Sequence, residues 1–283
     1  MDTGHVDKAE QTTNVTELPF QWGETSAEDG LFYIWKCPTM LFWLRRKKRT
    51  VALTHEYLPL EEKTADEQNA FTPDEMTWDY RVLEKSPKRI KIQPVLPDKP
   101  ILFNLCSPVN LLPGANTSVY IKLRSWIRVS DASTQDWFIK EFPSVQPEKA
   151  WFGATTTDGE VCYWRRERAS LAPDFTELEP HLMLCPITVY NRSEQQLVLS
   201  TMYLRASALS IFKAEEGLVT DRVQVYYSGD KQVSEVKVSG KAPPFAPTAK
   251  LVTTPREPAG RLQSAMAGAW NLLTRMAMLG DDE

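Results

Sequence analysis

A chain of 283 residues, 42% hydrophobic and 10% aromatic, is long enough to bury one large core or two ordinary ones without metals or disulfides as staples. Its 33 Lys and Arg against 37 Asp and Glu leave a net charge of −4, which excludes the positive overall field of a general nucleic-acid binder, so any basic function must be local. Met1-Asp2-Thr3-Gly4-His5-Val6-Asp7 is not a secretory start and no stretch approaches a membrane-spanning helix, so the expectation is a cytoplasmic protein with no transmembrane span.

Residues 1–30 carry Asp2, Asp7, Glu10, Glu17, Glu24, Glu28 and Asp29 against Lys8, with little apolar periodicity before Leu18-Pro19-Phe20-Gln21-Trp22. Such a segment reads as an acidic, mostly unstructured leader. From Leu31 the composition changes to short aromatic and β-branched runs broken by Pro, Gly, Asn and Asp, the pattern of antiparallel strands. The runs 31–37, 40–45, 50–58, 79–84, 89–95, 101–106, 118–129, 137–142, 150–154 and 160–166 make a first β unit, 31–172. Within it, 59–77 is acidic and poor in large apolar residues, a surface connection.

Asp174 to Glu179, bracketed by Pro173 and Pro180, marks a boundary. The runs 182–190, 196–204, 208–213, 221–227 and 232–238 then make a second β unit, 181–240. Asp158-Gly159 and Asn191-Arg192-Ser193-Glu194 supply hairpin turn chemistry. No strand alternates with a helical pattern of the βαβ kind, which argues against a doubly wound sheet.

Prolines 243, 244, 247, 255 and 258 lack the N–H that a central strand needs, so 241–259 reads as a proline-rich tether and the β core should end near Gly240. Beyond it, Leu262, Met266, Ala269, Trp270, Leu273, Met276 and Ala277 gather on one face at 100° per residue, opposite Gln263, Ser264, Asn271, Thr274 and Arg275. An amphipathic helix over 260–280, stopped by Gly280, is the expectation. The predicted fold class is therefore all-β, an antiparallel β-sandwich or two packed β-sandwich units, with a C-terminal amphipathic α-helix. That helix could pack on its own core, dock on a protein partner or lie in a membrane interface, and its polar face has too few cations to favour lipid.

The parts of an enzyme are missing. His5, His55 and His181 have no Cys, Asp or Glu at a recognised metal or triad spacing, and Cys37, Cys106, Cys162 and Cys185 are far apart within apolar or aromatic runs. No phosphate-cradling glycine loop and no G-x-S-x-G elbow occurs. No catalytic residue, metal ligand or cofactor is assigned.

Arg45-Arg46-Lys47-Lys48-Arg49 is the strongest local charge, directly after Met40-Leu41-Phe42-Trp43-Leu44. It could meet an anionic surface, a membrane headgroup layer or a nucleic acid. Its ordinary reading is a solvated hairpin tip that guards a sheet edge. Nine tryptophans and nine tyrosines admit an aromatic ligand cleft, although Trp35, Trp43, Trp126, Trp137, Trp151 and Trp164 fall in strand-like runs where packing is the common role.

Lys149-Ala150-Trp151-Phe152-Gly153, followed by Asp158-Gly159-Glu160-Val161-Cys162-Tyr163-Trp164, and Ile187-Thr188-Val189-Tyr190-Asn191 together resemble an uncharacterised prokaryotic domain-of-unknown-function family. The resemblance implies a β-rich protein, often encoded beside small mechanosensitive channels, with no assigned activity or residues. The expected function is a non-enzymatic accessory or adaptor protein docking on a protein partner or, peripherally, on the inner membrane. The alternative is a carbohydrate- or small-ligand-binding β-sandwich, hydrolytic if two carboxylates converge in an aromatic cleft.

Overall fold

The computed structural model describes residues 15–58, 77–133, 138–153, 159–229 and 235–257. The chain forms two compact units, Met1–Lys91 with Ser130–Lys140, and Ile92–Val129 with Glu141–Glu283.

In the first unit, β1 (Val15–Pro19), β2 (Gly23–Ser26), β3 (Phe32–Cys37), β4 (Met40–Lys47), β5 (Thr50–Tyr57) and β6 (Asp79–Val82) follow in order. Five of them form a sheet in the order β1-β3-β4-β5-β6. β1 runs parallel to β3, so residues read from composition as a leader extend the sheet. Period-two alternation explains the core: Tyr33, Leu44 and Leu53 lie in one cross-strand row, Trp35 and Phe42 in the next, and all five are buried. The Trp35 and Phe42 rings stack with centroids 4.8 Å apart and planes 8° from parallel.

The chain then continues through β7 (Arg89–Val95), β8 (Ile101–Leu111), β9 (Asn116–Arg124), β10 (Trp126–Asp131), β11 (Phe138–Pro143), β12 (Glu148–Gly153) and β13 (Gly159–Glu167). It passes from one unit to the other within β7, β10 and β11. After these come β14 (Leu182–Asn191), β15 (Leu197–Leu204), β16 (Ile211–Lys213), β17 (Leu218–Thr220), β18 (Val223–Tyr227), β19 (Glu235–Val238) and β20 (Lys250–Thr253).

Two sheets lie wholly within the second unit. One has the order β12-β13-β8-β15. The other has the order β19-β18-β14-β17-β16-β20, with β9 pairing β14 as well. Met183 to Val189 is buried without a break, the mark of a strand covered on both faces. Pro186 sits in this central strand without spoiling it, because β14 pairs β17 at Met183 and Leu184 and β18 from Ile187 onward. The residue lacking an N–H falls in the interval between them.

The described residues contain no α-helix, only a three-residue 3-10 turn at Ala206–Ala208. The expected fold class is corrected for the described residues, which are all-β and hold no α-helix; the amphipathic helix expected over 260–280 lies outside them. Pairing is also mixed rather than purely antiparallel, since β1·β3, β13·β8, β14·β17 and β14·β18 are parallel. Local pattern does not encode the direction of a partner brought from a distant part of the chain.

The described part of the expected tether, residues 241–257, holds more structure than a tether. Phe245 packs edge-on against Tyr120 and Phe175, and β20 pairs antiparallel with β16, using the proline-free stretch Lys250-Leu251-Val252-Thr253. Thr253 Oγ1 donates to Pro94 O at 2.6 Å, and Arg256 Nε donates to Leu96 O at 2.6 Å. Arg256 also pairs with the carboxylate of Glu141 at 2.7 Å, and Arg128 binds the same carboxylate. Replacing Arg256 with alanine removes a charge-assisted bond while Arg128 still neutralises Glu141, so the expected cost is about 2 kcal/mol in urea unfolding. A change within 0.5 kcal/mol would show that the contact is not formed in solution.

Two buried titratable groups of the second unit oppose each other. Burial pushes Asp221 up to about 6, against the Ser210 and Gly240 N–H groups that donate to its carboxylate. Burial, then the charges of Arg124 and Arg165, push His181 down to about 4. An acid raised on folding contributes stability at low pH that is lost as pH rises through 6, whereas the depressed His181 contributes stability above 6.5 that is lost as pH falls. The stability difference between wild type and His181→Asn is therefore expected to shrink by about 2 kcal/mol from pH 7 to pH 5. A constant difference over that range would mean that the imidazole titrates normally.

Candidate functional site

The basic run lies where two strands turn back on each other. Lys47 pairs with Thr50, leaving Lys48 and Arg49 as a two-residue turn between β4 and β5. Lys48 takes the left-handed conformation, φ 53°, which costs a side chain with a Cβ on the order of 1–2 kcal/mol. Its neighbours hold it there: Asp29 Oδ1 accepts from the Lys48 N–H at 2.6 Å, and Ser86 Oγ donates to the Lys48 carbonyl at 2.8 Å. Arg46 points to the other face, buried, and donates to Ser86 Oγ at 2.5 Å. It therefore braces the turn rather than facing solvent.

Arg45 belongs to the outer face. Phe32, Arg45, Ala52 and Tyr80 form one cross-strand row, and Lys47, Thr50 and Val82 form the next. The Arg45 guanidinium carbon lies 5.2 Å from the centre of the Phe32 ring and 5.3 Å from that of Trp78, while Nη2 donates to the Tyr80 hydroxyl at 3.1 Å. Such cation–π contacts hold the charge on an aromatic floor without neutralising it. Around this floor opens a cleft of about 740 Å³, with Lys47, Lys48 and Arg49 exposed on its rim.

None of the five cations forms an ion pair among the described residues. The carboxylate that lines the cleft, Asp29, already accepts from the turn. Tyr80 is 53% exposed and Val82 70% exposed on the edge strand beside the cations. The arrangement therefore offers cations without an ion-pair partner among the described residues, a bound guanidinium and two apolar side chains on one surface.

The charge run and its position were readable from the sequence. Asp29, Phe32, Trp78, Tyr80, Val82 and Ser86 were not, because only strand pairing brings them to the hairpin; the alternation of Tyr80 and Val82 was the one local hint. The predicted docking residues Leu262, Met266, Ala269, Trp270, Leu273 and Met276 lie outside the described residues. No described helix is long and apolar enough to cross a membrane, and no described cluster of His, Cys, Asp and Glu could hold a metal ion.

No curated protein and no solved structure matches the chain. Residues 21–269 match the profile of a family described as Protein of unknown function (DUF432), a span that takes in every strand from β2 to β20. The chain belongs to that family.

Proposed function

We propose that this protein is an accessory scaffold that docks on an anionic membrane surface through Lys47, Lys48 and Arg49, with Arg45 behind them and Tyr80 and Val82 entering the headgroup layer. The observation that carries this reading is that the exposed Lys47, Lys48 and Arg49 have no ion pair among the described residues, in a protein whose net charge is −4. Uncompensated cations at a surface are drawn to acidic headgroups by about 1 kcal/mol each.

The exposed pair Tyr80 and Val82 favours lipid over nucleic acid. An aliphatic side chain gains nothing against a phosphodiester backbone, whereas next to an interfacial aromatic it enters acyl chains readily. The ring faces of Phe32 and Trp78 that could stack bases are taken by Arg45.

Co-sedimentation tests it. Recovery with vesicles of phosphatidylserine and phosphatidylcholine, lost in 0.5 M salt and absent with phosphatidylcholine alone, is the expected result. Equal recovery on both vesicles, or retention by single-stranded DNA instead, overturns it.

A further inference from the structure

A second site lies wholly within the other unit. β12 stops at Glu148, opposite Trp164, because Pro147 cannot continue the ladder. Arg165, Arg166 and Glu167 therefore keep β8 as their strand partner while β12 no longer runs beside them. A cavity of about 240 Å³ opens there, with Pro97, Pro143 and Pro147 among its walls.

The lining is unusual in charge. Arg124, Arg165 and Arg166 contribute to it against a single carboxylate, Glu148. Arg165 is ion-paired to Glu167, whose charge also acts on Arg124 together with that of Glu148, while Arg166 has no ion pair among the described residues. The surplus is felt by a neighbour: His181 is kept neutral partly by the charges of Arg124 and Arg165. Two buried donors on lining residues, Ser125 Oγ and Arg165 Nε, have no hydrogen-bond acceptor among the described residues. Buried donors of this kind are seldom left unmatched, and an oxyanion has the lone pairs to match them.

The rest of the lining is flat and apolar. The Trp126 and Tyr163 rings lie 6.0 Å apart, tilted by 38°, and Trp164 is partly exposed. The Tyr163 hydroxyl donates to Asp98 at 2.7 Å, so the polar end of that ring is already engaged. With one carboxylate and three guanidinium groups, the cavity lacks the two convergent acids that glycoside hydrolysis needs.

We infer that this cavity binds a small oxyanion, a phosphate monoester or carboxylate, carried on a single planar ring, with Arg124, Arg165 and Arg166 meeting the anion and Trp126 and Tyr163 the ring. The site is independent of the membrane-docking surface.

Isothermal titration with phenyl phosphate, benzoate, phenol and inorganic phosphate tests it. Phenyl phosphate or benzoate is expected to saturate one site per chain, and whichever binds identifies the anion. Phenol and inorganic phosphate should each bind at least tenfold more weakly. Arg166→Gln, at an exposed position, and Arg124→Gln should each weaken binding at least tenfold without shifting the unfolding midpoint by more than a degree or two. Should Arg124→Gln unfold the chain, Arg166→Gln alone decides. Replacing Lys47, Lys48 and Arg49 together should leave this binding unchanged, which separates failure here from failure of the docking reading. Phenol or inorganic phosphate binding as tightly as the ring-borne anion, an unchanged affinity in Arg166→Gln, or no binding of any probe overturns the proposal.

Discussion

Exchanging Lys47, Lys48 and Arg49 together for glutamine is expected to lower partitioning onto phosphatidylserine-containing vesicles by about two orders of magnitude. Each exposed cation close to an acidic leaflet is worth about 1 kcal/mol, and 1.4 kcal/mol is tenfold. Three charges at the turn thus account for roughly 3 kcal/mol. Arg45 stays in place in this variant because it packs on Phe32 and Trp78, and removing it would confound binding with stability. The three exchanged side chains are exposed and without ion pairs among the described residues, so folding should be unaffected or helped slightly by relief of mutual repulsion. Salt provides the second arm, since the screening length falls from about 10 Å at 0.1 M towards 3 Å at 1 M. Partitioning that survives both the exchange and 0.5 M salt would assign the attachment to another surface.

Trp35→Ala is expected to destabilise the first unit by about 3–5 kcal/mol, the range for deleting a large buried aromatic side chain. Trp35 is 2% exposed, stacks on Phe42 and lies 5.8 Å from the Tyr33 ring at a shallow angle. It occupies β3, the strand between β1 and β4, so the void would open beneath the middle of the sheet rather than at an edge that can collapse. Because total stabilities are commonly 5–15 kcal/mol, the variant should lose much of its cooperative urea transition and, with it, the brace of the basic turn. Trp35→Phe, keeping a ring against Phe42, should recover a large part of the loss. A cost below 1 kcal/mol for the alanine variant would mean that the stack does not carry the core.

Strand existence was legible because alternation and β-branched or aromatic runs are local. β3, β4, β5 and β18 fall on the runs 31–37, 40–45, 50–58 and 221–227 read from the sequence. The stretch at Lys250–Thr253 was obscured by the prolines around it. Those prolines forbid pairing only at their own positions, and the four residues between Ala249 and Thr254 complete an antiparallel ladder with β16. The cavity at the end of β12 was not legible in the sequence, because Arg124, Trp126, Glu148 and Arg165 meet only after β12 stops short and β9 passes into β10.

By itself, then, the sequence determined the all-β class, the position of the five-cation turn and the lack of any catalytic signature, for each is written in neighbouring residues: alternation, charge run, motif. Tertiary structure alone decided which strands pair in parallel, that Arg45 sits over Phe32 and Trp78 beside Tyr80, and that three arginines line one cavity. Those outcomes depend on contacts between residues tens of positions apart, whose cost in chain entropy is recovered only when the whole sheet forms, and no local pattern carries that information.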